Sequence, residues 1–324
     1  ATPQLLDLAL LQNLNQKGVR YYAPEVDYSL AFFFNEYLKT GDLELLRFAC
    51  EYQGHITPQD ASVQLFQKWQ GIYEYNKSLK AEDKITVLGW DHTISPSLSL
   101  THLAYLAPSE STGLDIIDSL IHFKTLEDES ITIMSGKPAW KSGKSWDYFF
   151  GTDKTAFYNR FNNQYAVDST EILRAFGQNA DQVRRLMHKN KNTEREKIIY
   201  SNFKQYGLAK LNEGEKIYST YGYFHVQQNK VNDYMPFAGR IREKDNIRLV
   251  TLISLMAKSE CLVHQKYKST GNLYIKDVKF KGAIATGYKT SKSYEGDHLF
   301  EKVEGIKDLQ KIANGAPITL FNLI

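Results

Sequence analysis

Cysteine is scarce in this chain: Cys50 and Cys261 are the only two in 324 residues. They form no CxxC or other metal spacing, so neither a zinc module nor a disulfide framework is indicated. They are either one distant disulfide or two buried thiols, and the second reading is preferred because lone thiols are usually buried. A surplus of charge is lacking too. Forty basic side chains face 37 acidic ones, for a net charge of +3. That balance gives no electrostatic ground for nucleic acid or an anionic membrane surface as partner. Nowhere do about 18 apolar residues follow one another, the length a membrane-spanning helix needs. There is no GxSxG elbow, no GxGxxG and no Walker-type loop, which leaves serine-hydrolase and nucleotide-binding readings without support. His55, His102, His122, His188, His264 and His298 form no HxH, HxxxH or HExxH pattern and read as scaffold. Internal repeats and low-complexity tracts are missing as well.

What is present is an ordinary globular composition, 42% hydrophobic and 24% charged, with enough chain to bury a sizeable core. Pro3 to Gln16 carries Leu5, Leu6, Ala9, Leu10 and Leu14 near the 3.6-residue period of a helix. Val19 to Ala23 reads as a strand stopped by Pro24. Helices are expected over Val26–Leu38 and Leu43–Tyr52, then from a Thr57-Pro58 start to about Leu79. Ile85 to Leu88 is a short buried-type strand, and Ser95-Pro96 opens the next helix. Apolar stretches at Leu98–Leu106 and Leu114–Phe123 continue the helical pattern, and 135–146 reads as a loop. Further helices are expected over Asp147–Gln164, Ser169–Met187 and Thr193–Leu211, with capping-box spacing at Asp168/Glu171 and at Thr193/Glu196. Lys216 to Tyr221 alternates as a strand and breaks at Gly222. Beyond it, 239–246 is polar and Ile247–Met256 is a strand candidate. Short extended pieces (Leu273–Ile275, Ala283–Thr286, His298–Phe300), a helix at Gly305–Asn314 and a strand at Pro317–Leu323 close the chain. Strands separated by long helices predict an α/β fold, with a largely parallel central sheet covered by many helices and a helical subdomain. We expect one domain over 1–324 with a helical insertion at about 95–211.

Three titratable positions fall just after expected strands: Glu25, Asp91 with His92, and His225. In a parallel sheet those ends line one edge, where ligands bind. A carboxylate and an imidazole held there can do general-base work on water or hold a divalent metal, the one cofactor these residues suggest. Arg195 and Asn202 share the apolar stripe of Ile199, Phe203 and Tyr206. Polar groups on such a stripe need partners, either a buried carboxylate or a ligand. Arg195 could steady developing negative charge.

The order of these segments resembles the erythromycin-esterase-like family, within a broader superfamily that includes ChaN-like haem-uptake and Tiki-like proteins. The resemblance runs over roughly residues 1–230. It begins with YYAPEVDYSLAFFFNEYLKTGD (Tyr21–Asp42), continues through WQGIYEYNKSL (Trp69–Leu79), ITVLGWD (Ile85–Asp91) and TEREKIIYSNF (Thr193–Phe203), and ends in KIYSTYGYFHV (Lys216–Val226). It implies that Glu25 is the catalytic glutamate, that His225 is a catalytic histidine, and that Arg195 and Asn202 are polar positions of the preceding helix. The family's opening Gly-Glu-x-x-His-Gly strand is absent here, and Gly222 stands where the later segment has its first histidine. We therefore expect an N-terminal strand to be missing from the chain.

The resemblance implies a hydrolase acting on an ester or similar bond of a small molecule, with water activated by Glu25 and His225, Arg195 in support, and Asp91, His92 and Asn202 lining the ligand. The alternative is a ligand-, haem- or metal-binding secreted protein that keeps the fold without turnover. The chain begins without Met, no signal peptide is visible at Ala1, and its richness in Tyr and Asn suits a secreted or periplasmic bacterial protein. A cytoplasmic location is the other reading.

Overall fold

The computed structural model describes residues 3–134, 152–208 and 214–251 apart from 58, 59, 61, 94, 189, 190 and 232, together with four short strands further on. The expectations for 135–146, 283–286, 298–300 and 305–314 lie outside these residues. Chain contacts divide the protein into two units. The first holds Ala1–Lys191, Gln205–Thr220 and Leu262–Tyr274; the second holds Asn192–Lys204, Tyr221–Cys261 and Ile275–Ile324.

The first unit is built on three parallel strands in the order β2-β1-β3: β1 is Val19–Pro24, β2 is Thr86–Val87 and β3 is Lys216–Thr220. Tyr22 of β1 stands level with Val87 of β2 and with Tyr218 of β3. Helices α1 (Pro3–Asn15), α2 (Tyr28–Thr40), α3 (Leu43–Ile56) and α4 (Val63–Ser78) pack around this sheet. Their apolar stripes make a core with Tyr22, Phe33, Phe34, Leu46, Trp69 and Ile72, each at most 1% exposed. Trp69 stacks on Phe34 with ring centroids 3.7 Å apart.

Local chemistry sets these boundaries. Asp27 caps α2 by accepting from the Leu30 amide, and Gly41 ends it at φ 75°, a left-handed geometry that glycine adopts without strain. The helix expected to start at Thr57 starts later. Thr57 closes α3, and Ser62 is the cap that accepts from the Leu65 amide. Among the described residues strand β2 has a neighbouring strand on one side only, and asparagines serve its other edge. Asn35 donates to the Val87 carbonyl and accepts from the Val87 amide, both at 2.8 Å. Asn76 does the same for Ile85 at 3.0 and 2.9 Å. These side chains satisfy backbone groups that a further strand would otherwise pair.

A second core in the same unit joins α5 (Pro96–Leu106), α6 (Asp115–Met134), α7 (Thr152–Phe176) and α8 (Ala180–Leu186) through Leu100, Leu103, Ile117, Leu120, Phe161 and Val183. This is the helical subdomain. The break expected at Asp168 appears as non-helical backbone inside α7, not as a fresh start.

In the second unit, α9 spans Arg195–Asn202; the wide π turn after it, Phe203–Gly207, enters the first unit at Gln205. The expected capping box at Thr193/Glu196 does not form: Glu194 is the cap residue and makes no side-chain cap bond. The polar stretch after 236 is a helix, α10 (Phe237–Lys244), whose Phe237, Ala238 and Ile241 form a narrow buried stripe. Within the strand candidate 247–256, the described residues 247–251 are irregular. Four short strands complete the described residues: β4 (Glu260–His264) beside β5 (Leu273–Asp277), and β6 (Glu301–Lys302) antiparallel to β7 (Thr319–Leu320).

Candidate functional site

The second unit holds a closely bonded cluster of titratable groups around His225. The turn after Tyr221 carries His225, whose amide bonds the Gly222 carbonyl at 2.9 Å and whose carbonyl accepts from Ala238 at 3.0 Å. This fixes the ring against α9, where it is 9% exposed. His225 Nδ1 lies 2.5 Å from Oε1 of Glu196, and Arg195 Nη1 lies 3.1 Å from Nε2. A guanidinium only donates, so Nε2 accepts and the ring proton sits on Nδ1, facing the carboxylate. Glu196 is 2% exposed, and its other oxygen accepts from the Phe237 amide at 2.6 Å. Burial pushes its carboxyl up. The bond and charge of His225, the Tyr234 hydroxyl and the Phe237 amide outweigh that and hold it below the usual carboxylate value. Burial and this bond to Glu196 in turn push the Tyr234 phenol up.

Glu196 is the residue that sequence reasoning missed. Its capping-box spacing offered a local explanation, while its actual partner is 29 residues away. The readable signal lay beside it: Arg195 is polar on a stripe shared with Ile199, and such a residue needs a buried counterpart. Asn202 ends the same helix, half-buried.

The remaining nominated residues belong to the first unit. Glu25 follows β1 directly and is half-buried. Asp91 follows β2, is 3% exposed, and accepts from the amide and Nδ1 of its own neighbour His92 at 2.7 and 2.8 Å. The loop carrying it is tied to the end of β1 by the Asp91 amide on the Val26 carbonyl at 3.1 Å. Asp91 thus holds its loop, and His92 is the exposed member of the pair.

Close to Glu25 is a buried network that the sequence did not announce. Lys68, 4% exposed, reaches Oδ2 of Asp7 at 3.0 Å and the Tyr22 hydroxyl at 3.1 Å. The Tyr22 hydroxyl also bonds Asp7, and Tyr218 donates to the other Asp7 oxygen at 2.7 Å. Burial, then the Asp7 charge, pushes both phenols up. Asp60 takes amide hydrogens from Gln4 and Gln53 at 3.0 Å each. Burial raises its carboxyl, Lys68 and Gln53 oppose that, and the charges of Glu25 and Asp7 add to the rise. Lys68 sits three residues after Leu65 and four before Ile72, so a lysine on the core stripe was the available signal.

A groove of about 920 Å³ opens between α6 and α7, lined by Asp115, Asp118, His122, Arg160, Asp168 and Glu171 among others. None of the nominated residues lines it. No group of three or more His, Cys, Asp or Glu side chains that could hold a metal ion comes together among the described residues. No helix among them is long and apolar enough to cross a membrane. Comparison with protein-family models, with curated proteins and with solved structures finds nothing that matches the chain.

Proposed function

We propose that the protein is a hydrolase acting on an ester or similar bond of a small molecule, with His225 as the base that activates water. The observation that carries this is the buried Glu196–His225–Arg195 arrangement. It combines a carboxylate that orients the imidazole, an imidazole whose Nε2 lone pair is available once Arg195 moves, and a cation beside it. In this reading the substrate carbonyl draws the Arg195 guanidinium onto its developing oxyanion. Nε2 then takes a proton from water as the water oxygen bonds to the carbonyl carbon. The tetrahedral species collapses by breaking the bond to the leaving oxygen, which receives that proton, while Glu196 holds the imidazolium formed in between. Asn202, in the same unit as His225, is placed on the ligand, and the role that the family resemblance implies for Glu25 is tested by its own substitution. The Tyr- and Asn-rich composition supports a secreted or periplasmic bacterial protein.

The second reading is a ligand-, haem- or metal-binding protein that keeps the fold without turnover. One observation favours it: Nε2 of His225 is already bonded by Arg195. Hydrolysis of a panel of small esters by the wild type, His225→Ala, Glu196→Gln and Glu25→Gln separates the two. The hydrolase reading expects wild-type turnover and losses on the order of 10²- to 10⁴-fold in His225→Ala. Undiminished turnover in both His225→Ala and Glu196→Gln would sink it, and an inactive wild type that binds haem or a divalent ion would favour the second reading.

A further inference from the structure

Arg185, on α8 of the first unit, carries a charge that no described residue neutralises. Its guanidinium carbon lies 3.7 Å from the ring centre of Tyr28 and 4.2 Å from that of Tyr206, so two phenol faces flank the cation. Nη2 donates to the Gly89 carbonyl at 2.6 Å. This is the one protein acceptor the guanidinium finds among the described residues, out of five N–H groups it can offer. Tyr28, Arg185 and Tyr206 are each half-buried, and neither hydroxyl bonds a described residue.

A half-buried guanidinium normally finds a carboxylate, because taking its charge partly out of water costs free energy that a counter-ion restores. Among the described residues no such counter-charge reaches Arg185, and the position is not arbitrary. Gly89 lies just past the carboxyl end of β2, and in open parallel sheets the crevice outside those ends is where ligands bind. Two histidines adjoin these rings. His102 stacks on Phe32 with its ring 5.3 Å from that of Tyr28, and burial together with the Arg185 charge lowers its pKa; His188 sets its ring 6.4 Å from that of Tyr206.

We propose that Arg185, held between Tyr28 and Tyr206 at the carboxyl end of β2, is an anion-recognition site that binds the carboxylate or phosphate group of a small-molecule ligand. The Tyr28 and Tyr206 rings fix the plane of the guanidinium, and the Gly89 carbonyl fixes its rotation. The remaining N–H donors then face a planar or tetrahedral oxyanion in a set geometry. The two phenol hydroxyls are further donors beside it. This inference stands apart from the hydrolase reading, since it concerns binding and not turnover.

The test is calorimetric titration of inorganic phosphate and, separately, of acetate into the protein at low ionic strength, with Arg185→Gln, Arg185→Lys and Tyr206→Phe alongside. Arg184→Gln, at the exposed neighbour that pairs with Asp181, is the control. Saturable binding of at least one anion is expected, and which anion binds tells a phosphoryl ligand from a carboxylate one. Arg185→Gln should weaken it about tenfold to a hundredfold, the range for a lost charged hydrogen bond. Arg185→Lys should recover only part of the loss because it lacks the fork, and Arg184→Gln should bind like the wild type. The proposal is overturned if neither anion binds saturably, or if folded Arg185→Gln binds as well as the wild type. Should Arg185→Gln fail to fold, binding by folded Arg185→Lys as tight as the wild type's overturns it instead.

Discussion

His102 makes stability depend on pH in a way that can be worked out in advance. The ring is fully buried, stacked at 3.9 Å on Phe32, and bonded through Nδ1 to the Ser29 hydroxyl at 3.2 Å. Its Nε2 has no hydrogen-bond partner among the described residues. Burial first, and the Arg185 charge second, hold its pKa well below the ordinary 6.5. The folded ring therefore takes up a proton less readily than the unfolded ring as pH falls. A depressed folded value means that stability is fully present above the unfolded pKa and is lost as pH falls. With no proton taken up in the folded state, the loss is about 0.2 kcal/mol at pH 7 and about 2 kcal/mol at pH 5. His102→Leu removes the titration and leaves every other ionisable group in place. Urea unfolding at both pH values should show the wild type losing about 2 kcal/mol more than the variant between pH 7 and pH 5. Equal losses in the two proteins would refute the reasoning, because they would mean that the folded ring can be protonated where it sits.

Two further predictions concern the scaffold beneath the strand ends. Gly89→Ala would set a Cβ 2.1 Å from the backbone carbonyl oxygen of Asp27, which cannot swing aside as a side chain can. A loss of about 1–3 kcal/mol in chemical denaturation is expected, together with altered binding at Arg185, whose anchor is the Gly89 carbonyl. Asn35→Ala leaves the amide and carbonyl of buried Val87 without their partners. It should cost about 2–4 kcal/mol, and amide exchange at Val87 should rise more than at Tyr22 in the middle of the sheet.

Much of the architecture was legible because its causes are local. The apolar stripe of α2 lies within one short stretch of chain and acts through near neighbours alone. The alternation of β3 and the Ser95-Pro96 helix start are of the same kind. Errors arose where two local signals competed. Thr57-Pro58 looked like a helix start, yet Ser62 is the cap. Thr193 and Glu196 had the spacing of a capping box, yet Glu196 turns inward. Helix α10 was hidden because its buried stripe is narrow and four of its eight residues are charged.

The candidate site divides along the same line. His225, Arg195, Glu25 and Asp91 could be nominated from position, since strand ends and polar residues on apolar stripes are visible in one dimension. The sequence by itself determined that the chain would build parallel strands between amphipathic helices and would place titratable groups at the strand ends. Only the tertiary structure decided which partners those groups meet. It set Glu196 behind His225 and Arg195 before it, turned Asp91 to the service of its own loop, buried Lys68 on Asp7, and set Arg185 between two tyrosines. The physical reason is that helices and strands follow from interactions between near neighbours in the chain, whereas a buried charge is defined by the partner it meets. Those partners are 29 residues away for His225, 61 for Lys68 and 96 for Arg185.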